Sequence, residues 1–384
     1  MAIQKITIEE FLKLAKQYPV LDVRSPGEYA HAHIPTSHSL PLFTDEERKQ
    51  VGTVYKQQSR EAAIKIGLDH FGVKMRKMVE EVEVIISNRQ LAIGKNEEAN
   101  NYDAPLPIVN CLLVHCWRGG MRSAAVAWLL DLYGYKAYLL VGGYKAYRKW
   151  VRSQFEKAYN FNIIGGYTGS GKTLLIHELI KENKMVIDLE GLAKHKGSAF
   201  GAIEHMPQPG QEMFENSLAH ALSDTAYKIL DESAQNQASS IQDSASVIYI
   251  EDESQRIGNL QIPMPLWDSM RKAPVFFLDI PFEDRLEYIT EEYGKQEKET
   301  LKNSILRIQK RLGGLETKNA VNFLEEGNYK ACFRILLTYY DKWYHKGLYN
   351  RENISALLNK IPCTCVDTQI NTQKLLSCNL VSTI

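Results

Sequence analysis

Two short stretches of this 384-residue chain combine residue types that do chemistry on anions. The first is His115-Cys116-Trp117-Arg118-Gly119-Gly120-Met121-Arg122-Ser123, between an apolar run and a helix-like segment. Backbone N–H groups there can curl round the Cys116 sulfur as an anion nest, Gly119 and Gly120 permit the tight turn, and the guanidinium groups of Arg118 and Arg122 favour the thiolate. Such surroundings lower a cysteine pKa from about 8.5 into roughly the 3.5–7.5 range, where the sulfur is a nucleophile. A buried, inert cysteine is the commoner role, but two arginines and two glycines in the next six residues have no use in packing a core.

The second stretch is Gly166-Tyr167-Thr168-Gly169-Ser170-Gly171-Lys172-Thr173, which fits G-x-x-x-x-G-K-[ST] directly after a strand-like run and before a helix-like one. The glycines Gly166, Gly169 and Gly171 shape a loop in which the amides of Thr168, Ser170 and Lys172 cradle a diphosphate. Lys172 neutralises it and the Thr173 hydroxyl completes a Mg2+ shell. The loop recognises any diphosphate, so ATP is not specified. The strand-like Ile248-Tyr249-Ile250 ends in Glu251-Asp252-Glu253, which offers Glu251 as the carboxylate facing the metal, with Asp188 as the weaker choice; a solvated cluster of strand-end charges is the other reading.

Two basic stretches could meet RNA. Residues 144–152 carry Lys145, Arg148, Lys149 and Arg152 interleaved with Tyr144, Tyr147 and Trp150, a composition suited to phosphate contacts and base stacking. It equally suits a packed helix with snorkelling cations. Further on, Arg307 and Arg311 lie in a run rich in Lys and Arg, which is also what a solvated helix face looks like.

These residues need a scaffold that ends strands at defined points. Apolar runs at 19–23, 108–115 and 136–141 separated by helix-like segments imply a parallel α/β sheet, with Cys116 at the carboxyl end of a strand. A fresh strand at 159–164 opens a second alternating unit, with strands near 185–189, 247–251 and 275–280 and a helical stretch from about 285 to 359. We place the boundary at residue 157, giving units 1–157 and 158–384. Length agrees, since single cores stop growing at roughly 250–300 residues. Residues 94–103 and 233–246 read as polar surface insertions.

Lys plus Arg (46) balance Asp plus Glu (46), so RNA has to be met by local patches. The six cysteines are scattered, and Cys363-Thr-Cys365 lacks zinc-site spacing. The N-terminus is amphipathic and no run of about 18 apolar residues occurs. The expectation is a cytoplasmic protein with no membrane contact.

Leu21-Asp22-Val23-Arg24-Ser25-Pro26-Gly27-Glu28-Tyr29 and then His33-Ile34-Pro35 resemble the first motif of rhodanese domains, with Cys116 where they carry the chalcogen; the likeness covers residues 1 to about 150. Thr36 replaces a glycine common there. Cys116 to Arg122 is C-x5-R, one residue longer than the usual sulfurtransferase loop and equal to that of cysteine phosphatases, so Arg122 and the loop amides could hold an oxyanion such as phosphate beside the sulfur. The segments Leu40-Pro41-Leu42, Asp45-Glu46-Glu47-Arg48 and Val51-Gly52-Thr53-Val54-Tyr55-Lys56-Gln57-Gln58 resemble the family of bacterial tRNA 2-selenouridine synthases. So do Asp188-Leu189-Glu190-Gly191-Leu192-Ala193, Gly197-Ser198-Ala199-Phe200-Gly201, Gln211 with Phe214-Glu215, Glu253-Ser254 with Ile257-Gly258, Arg311-Leu312-Gly313-Gly314, and Tyr339-Tyr340-Asp341. The fold implied is a rhodanese-like parallel-sheet domain followed by a P-loop NTPase-like α/β domain with a helical C-terminal region.

That resemblance implies replacement of sulfur by selenium in 2-thiouridine at the tRNA wobble position, through an S-geranylated intermediate. Geranyl diphosphate and selenophosphate would be the co-substrates, and a selenophosphate supplier a partner. On this reading the P-loop holds the diphosphate, Mg2+ assists, and Cys116 accepts selenium as a selenylated cysteine. The residues alone leave open an ATP-coupled persulfide sulfurtransferase acting on tRNA, a cysteine phosphatase, and a nucleotide-sensing RNA-binding module with an inert first domain.

Overall fold

The structure is a computed structural model and describes residues 3–97, 111–195, 207–235 and 247–381. The motif at 197–201 and most of the expected insertions at 94–103 and 233–246 lie outside the described residues. The chain divides into two compact units, Met1–Ser153 and Gln154–Ile384.

The first unit is built on five strands: β1 (Gln4–Ile6), β2 (Val20–Asp22), β3 (His38–Ser39), β4 (Cys111–His115) and β5 (Lys136–Leu140). They stand in the order β1-β5-β4-β2-β3, and every pairing is parallel. A parallel sheet is covered on both faces, so its strands are apolar without alternation; Leu112, Leu113 and Val114 of the central β4 are all fully buried. The end of β4 delivers Cys116 to the carboxyl edge of the sheet, where parallel sheets gather ligands.

Helix starts are written locally. Thr7 accepts from the Glu10 N–H (3.3 Å) while the Glu10 carboxylate accepts from the Thr7 N–H (3.0 Å), opening helix Ile8–Ala15. Thr44 and Glu47 repeat this reciprocal cap at helix Asp45–Gln57, so two otherwise orphaned donors are satisfied at each start. That helix packs against the next one, Arg60–Gly72.

Thr36 stands at φ 70°, left-handed backbone that costs a β-branched residue about 1–2 kcal/mol. Glycine there relieves the strain but loses more unfolded-chain entropy, about 0.5–1 kcal/mol. Thr36→Gly is therefore expected to stabilise the first unit by a net ~0.5–1 kcal/mol, read as a higher urea midpoint of its unfolding transition; a lower midpoint would refute the strain argument.

The second unit contains β6 (Phe161–Gly166), β7 (Met185–Ile187), β8 (Ile248–Glu251), a small antiparallel pair β9 (Arg256–Ile257) and β10 (Leu260–Gln261), then β11 (Val275–Asp279) and β12 (Leu358–Pro362). Its parallel sheet runs β12-β11-β6-β8-β7. The phosphate-loop strand β6 is central and the acid-tipped β8 lies beside it. Four helices, Phe282–Tyr293, Lys298–Arg307, Gly314–Glu325 and Tyr329–Tyr349, share a core of Leu286, Ile305, Leu324, Phe333 and Leu336.

The α/β architecture with C-terminal helices is as expected. The helical stretch does not reach residue 359, however: β12 begins at Leu358 and pairs in register with β11. Its Leu-Asn-Lys-Ile-Pro sequence has no strand period of its own; the exposed edge of β11 decides its form, which is a tertiary effect. No helix among the described residues is long and apolar enough to cross a membrane.

Candidate active sites

Cys116 leaves β4 into a turn that ends at helix Met121–Tyr133. The turn is clasped by a second one: the Tyr144 N–H donates to Cys116 O (2.8 Å) and the Lys145 N–H to Trp117 O (3.0 Å). Gly119 and Gly143 meet there at φ 64° and 57°, and a Cβ on Gly143 would overlap Cys116 O and Gly119 N. The Gly142-Gly143 pair thus exists so that two backbones can touch.

Beneath the turn lies a buried ion pair. Arg24 donates from Nε and Nη2 to the Asp22 carboxylate (2.9, 3.0 and 2.6 Å) and from Nη2 to Ala32 O (2.7 Å), with its guanidinium 3.8 Å from the Tyr144 ring centroid. Every guanidinium charge buried in this way needs such partners. Asp22 and Arg24 of the 21–29 motif are therefore structural support for the loop. Burial pushes the imidazole of His115 below its usual pKa.

Burial by itself would push the Cys116 thiol up, but the Ser123 hydroxyl (Sγ to Oγ 3.2 Å), the Ser123 backbone N–H, the Arg122 guanidinium and the Arg118 backbone N–H outweigh it and hold its pKa below the ordinary thiol value. The Arg122 guanidinium is shared: its Nη1 donates to Glu28 Oε2 (2.8 Å), which Arg48 also approaches (3.0 Å). Burial would raise the Glu28 pKa, but the two arginines and the Ser25 N–H hold it down to about 2, so Glu28 stays charged and tethers Arg122. The Arg118 side chain is exposed and lines, with Cys116 and Arg122, a cavity of about 770 Å³.

Since alkylation follows the thiolate fraction, iodoacetamide should modify Cys116 with a half-rise below the usual thiol pKa of about 8.5. Ser123→Ala should move that half-rise upward. Mass spectrometry of the Cys116 peptide measures both. Cys332, whose pKa burial pushes up to about 12, is the internal control. A Cys116 profile indistinguishable from free cysteine would refute the activated thiol.

In the second unit the phosphate loop joins β6 to helix Lys172–Lys181. Lys172 Nζ donates to Gly166 O (2.8 Å), and Arg285 Nη1 donates to Thr168 O (2.9 Å) while a two-pronged pair with Asp341 (2.9 and 2.7 Å) fixes it. The Tyr344 hydroxyl accepts from the Gly166 N–H (3.1 Å) and donates to Asp252 (2.6 Å), which is ion-paired with Arg351. Side chains from the helical region therefore clamp the first part of the loop's backbone, at Gly166 and Thr168. A cavity of about 910 Å³ opens over it, lined by Gly169, Ser170, Gly171, Lys172 and Thr173. Arg271 and Arg311 add cations to its wall, and Tyr339, Tyr340 and Trp343 add aromatic faces.

Glu251 does not stand where the metal-facing carboxylate was expected. It is still in β8, paired with Ile164, and is 1% exposed. One oxygen accepts from the Leu189 N–H (2.7 Å), and burial with nearby Asp188, Glu190 and Glu253 pushes its pKa well up. Among the carboxylates that line the cavity are Glu190, which accepts from the Thr173 hydroxyl (2.7 Å), and Glu253, two residues beyond the strand's end. Burial and Glu190 push the pKa of Glu253 up against the pull of Lys172. Asp188 caps helix Leu189–Ala193 through the Gly191 N–H (2.7 Å).

On helix Gly143–Phe155, Lys145, Lys149 and Arg152 are exposed and Arg148 is half-buried. Spacings of four and three put the exposed cations on one face. Tyr144 and Tyr147 are fully buried, and Trp150 stacks on Tyr147 at 5.6 Å. The two tyrosines are core, and base stacking by them is ruled out. Arg307 is exposed, and Arg311 belongs to the phosphate cavity. Arg285, Tyr344, Arg351 and Arg271 carried no sequence signal of a site role; Asp341 lay in the Tyr339-Tyr340-Asp341 motif without an assigned role.

Two five-stranded parallel sheets, the second presenting a phosphate loop at its central strand and followed by helices, define a two-unit α/β protein whose second unit is of the AAA type. The model of the tRNA 2-selenouridine synthase AAA domain matches residues 159–359. A tRNA 2-selenouridine synthase of Bdellovibrio bacteriovorus is 31% identical over 93% of this chain and 96% of its own length, and one of Hydrogenovibrio crunogenus is 34% identical over 88% and 91%. The N-terminal domain of a putative ATP/GTP binding protein from Clostridium difficile 630, a solved structure, is 34% identical over 39% of this chain and 98% of its own, with a TM-score of 0.31. The chain belongs to the tRNA 2-selenouridine synthase family, and its activity is the one for which that family is named.

Proposed function

We propose that the chain turns wobble 2-thiouridine of tRNA into 2-selenouridine in two steps, alkylating the sulfur with geranyl diphosphate at the phosphate loop and then displacing the geranylthio group with selenium from selenophosphate at the Cys116 loop. What supports this is the pairing in one chain of a diphosphate cradle with a thiol held below its ordinary pKa beside Arg122.

In the first step the thiocarbonyl sulfur attacks C1 of geranyl diphosphate, the C–O bond breaks, diphosphate leaves with the electron pair, and the base loses its N3 proton to water. Lys172 and the loop amides stabilise the departing charge. The fit to Mg2+ is good: Thr173 and Glu190 present oxygens 2.7 Å apart, and Mg2+ takes one or two protein oxygens and fills its shell with phosphates and water. Bound there, Mg2+ supplies further neutralisation of diphosphate.

In the second step selenium adds to C2 and geranyl thiolate leaves. A thiolate and the selenium of selenophosphate are both already reduced, so joining them as a selenylated cysteine needs an electron acceptor. Attack of Cys116 on phosphorus needs none: the S–P bond forms, the P–Se bond breaks, and selenide departs with the pair to attack C2. Water then frees the thiolate by releasing phosphate. We assign Cys116 this phosphoryl-acceptor role, with Arg122 and the Arg118 loop amide on the phosphate oxygens. Lys145, Arg148, Lys149, Arg152 and Arg307 are assigned to tRNA phosphates.

The test is to incubate protein, 2-thiouridine tRNA, geranyl diphosphate and selenophosphate, omitting each in turn, and to weigh the wobble nucleoside. A geranylated nucleoside without selenophosphate and a selenium-containing one with it are expected. Direct selenation without geranyl diphosphate would overturn the two-step order.

A further inference from the structure

The cavity beside Cys116 has a composition that phosphate chemistry does not require. Selenophosphate is small and fully charged, yet beyond the thiol the cavity runs between helices Asp45–Gln57 and Arg60–Gly72, over Val51, Ile64 and Phe71. Tyr55, Leu68 and Met121 stand on its lining 53%, 58% and 49% exposed. Large apolar side chains grouped on a concave surface mark a place where an apolar ligand is buried. Gly52 lies on the same lining, and nothing would stand within 4 Å of a Cβ there, so the space is open.

The charge around this groove narrows the ligand. Arg48, Lys49, Lys56 and Arg118 line the same cavity, so the occupant has an apolar part and belongs to a polyanion. A free lipid or an apolar peptide does not need the thiol at one end; a base carrying a hydrocarbon chain on its sulfur, within an RNA, matches all three features.

We infer that this groove binds the geranyl chain of the S-geranylated tRNA during the second step, with the cations on the RNA backbone and Cys116 at the groove's inner end. The inference rests on the two-step reading above. The first unit thereby takes part in substrate recognition, because the geranyl chain is gripped where it must leave, and tRNA that has not been geranylated gains nothing from the groove. Because the lining is apolar, desolvating the chain there contributes to discrimination between long and short S-alkyl groups.

Two measurements test it. The first needs neither RNA nor turnover: geranyl methyl sulfide should slow iodoacetamide labelling of Cys116 several-fold in the wild-type full chain, whereas dimethyl sulfide should not; equal labelling with and without the geranyl compound would overturn the inference. The second compares selenation of S-geranyl and S-methyl 2-thiouridine tRNA in single turnover. Leu68→Asp and Met121→Asp, both at exposed positions, should lower the geranyl-to-methyl rate ratio by roughly tenfold or more; an unchanged ratio in both variants would overturn it. Failure of the wild-type protein to selenate S-geranyl tRNA despite thioether protection of Cys116 would instead sink the two-step reading and leave an alkyl-binding groove.

Discussion

Cys116→Ser is expected to abolish selenation, by roughly three orders of magnitude or more, because a serine hydroxyl is not ionised at neutral pH and is a poor nucleophile at phosphorus. Geranylation should persist, so S-geranyl-2-thiouridine accumulates in tRNA incubated with both co-substrates. The substitution is nearly isosteric, and the site's architecture does not depend on the sulfur: the backbone clasp from Tyr144 and Lys145 and the Arg24–Asp22 pair are made by other groups. The readout is the mass of the wobble nucleoside. If the variant loses geranylation and keeps selenation, the assignment of the two sites is reversed. If it selenates at the wild-type rate, the thiol is not the acceptor, and selenophosphate attacks the base directly.

Lys172→Ala should do the opposite. Removing a cation aimed at a departing diphosphate costs roughly 10²–10³-fold when the charge develops in the transition state. Geranylation should fall by that factor while selenation of tRNA geranylated beforehand is retained. Lys172→Arg should recover only part of the loss, since the guanidinium is larger and planar and replaces a compact charge. The loop should survive either change, because Arg285 holds Thr168 O and Tyr344 holds the Gly166 N–H independently of Lys172. Equal losses in both half-reactions would mean that the phosphate loop serves the whole enzyme, for example by gating it with a nucleotide, and that geranyl diphosphate is held elsewhere.

Both substitutions fall in loops visible in the sequence, and the reason is physical. A phosphate loop and a thiolate loop work mainly through consecutive backbone amides, so their chemistry is contiguous in the chain and leaves a pattern of glycines, a nucleophile or lysine, and a cation at fixed spacing. The strands feeding them were equally legible, since strands buried on both faces read as continuous apolar runs. Missed elements were of another kind. β1 and β3 are three and two residues long, too short for any period, and β12 follows the edge of β11.

Side chains that act across the fold left little trace. Position in a strand-end acidic run points to Glu251, but only the tertiary structure shows that the strand has not yet left the sheet there, so that Glu190 and Glu253 face the cavity. The basic helix at 143–155 shows the same limit from the other side: composition cannot say which aromatics turn inward, and packing places Tyr144 and Tyr147 in the core while leaving Lys145, Lys149 and Arg152 outside.

What the sequence by itself determined is thus the pair of anion-handling loops, the strands that carry them, the helix starts written by Thr7 with Glu10 and Thr44 with Glu47, and the family. Only the tertiary structure decided that Glu28 tethers Arg122 from 94 residues away, that Arg285 and Asp341 clamp the phosphate loop, and that an apolar groove opens at Cys116. The division follows the range of the forces. Backbone amides and caps act between neighbours in the chain, whereas ion pairs and apolar walls are made by residues whose nearness exists only after the sheets have formed and the unpaired charges have found the partners that burial demands.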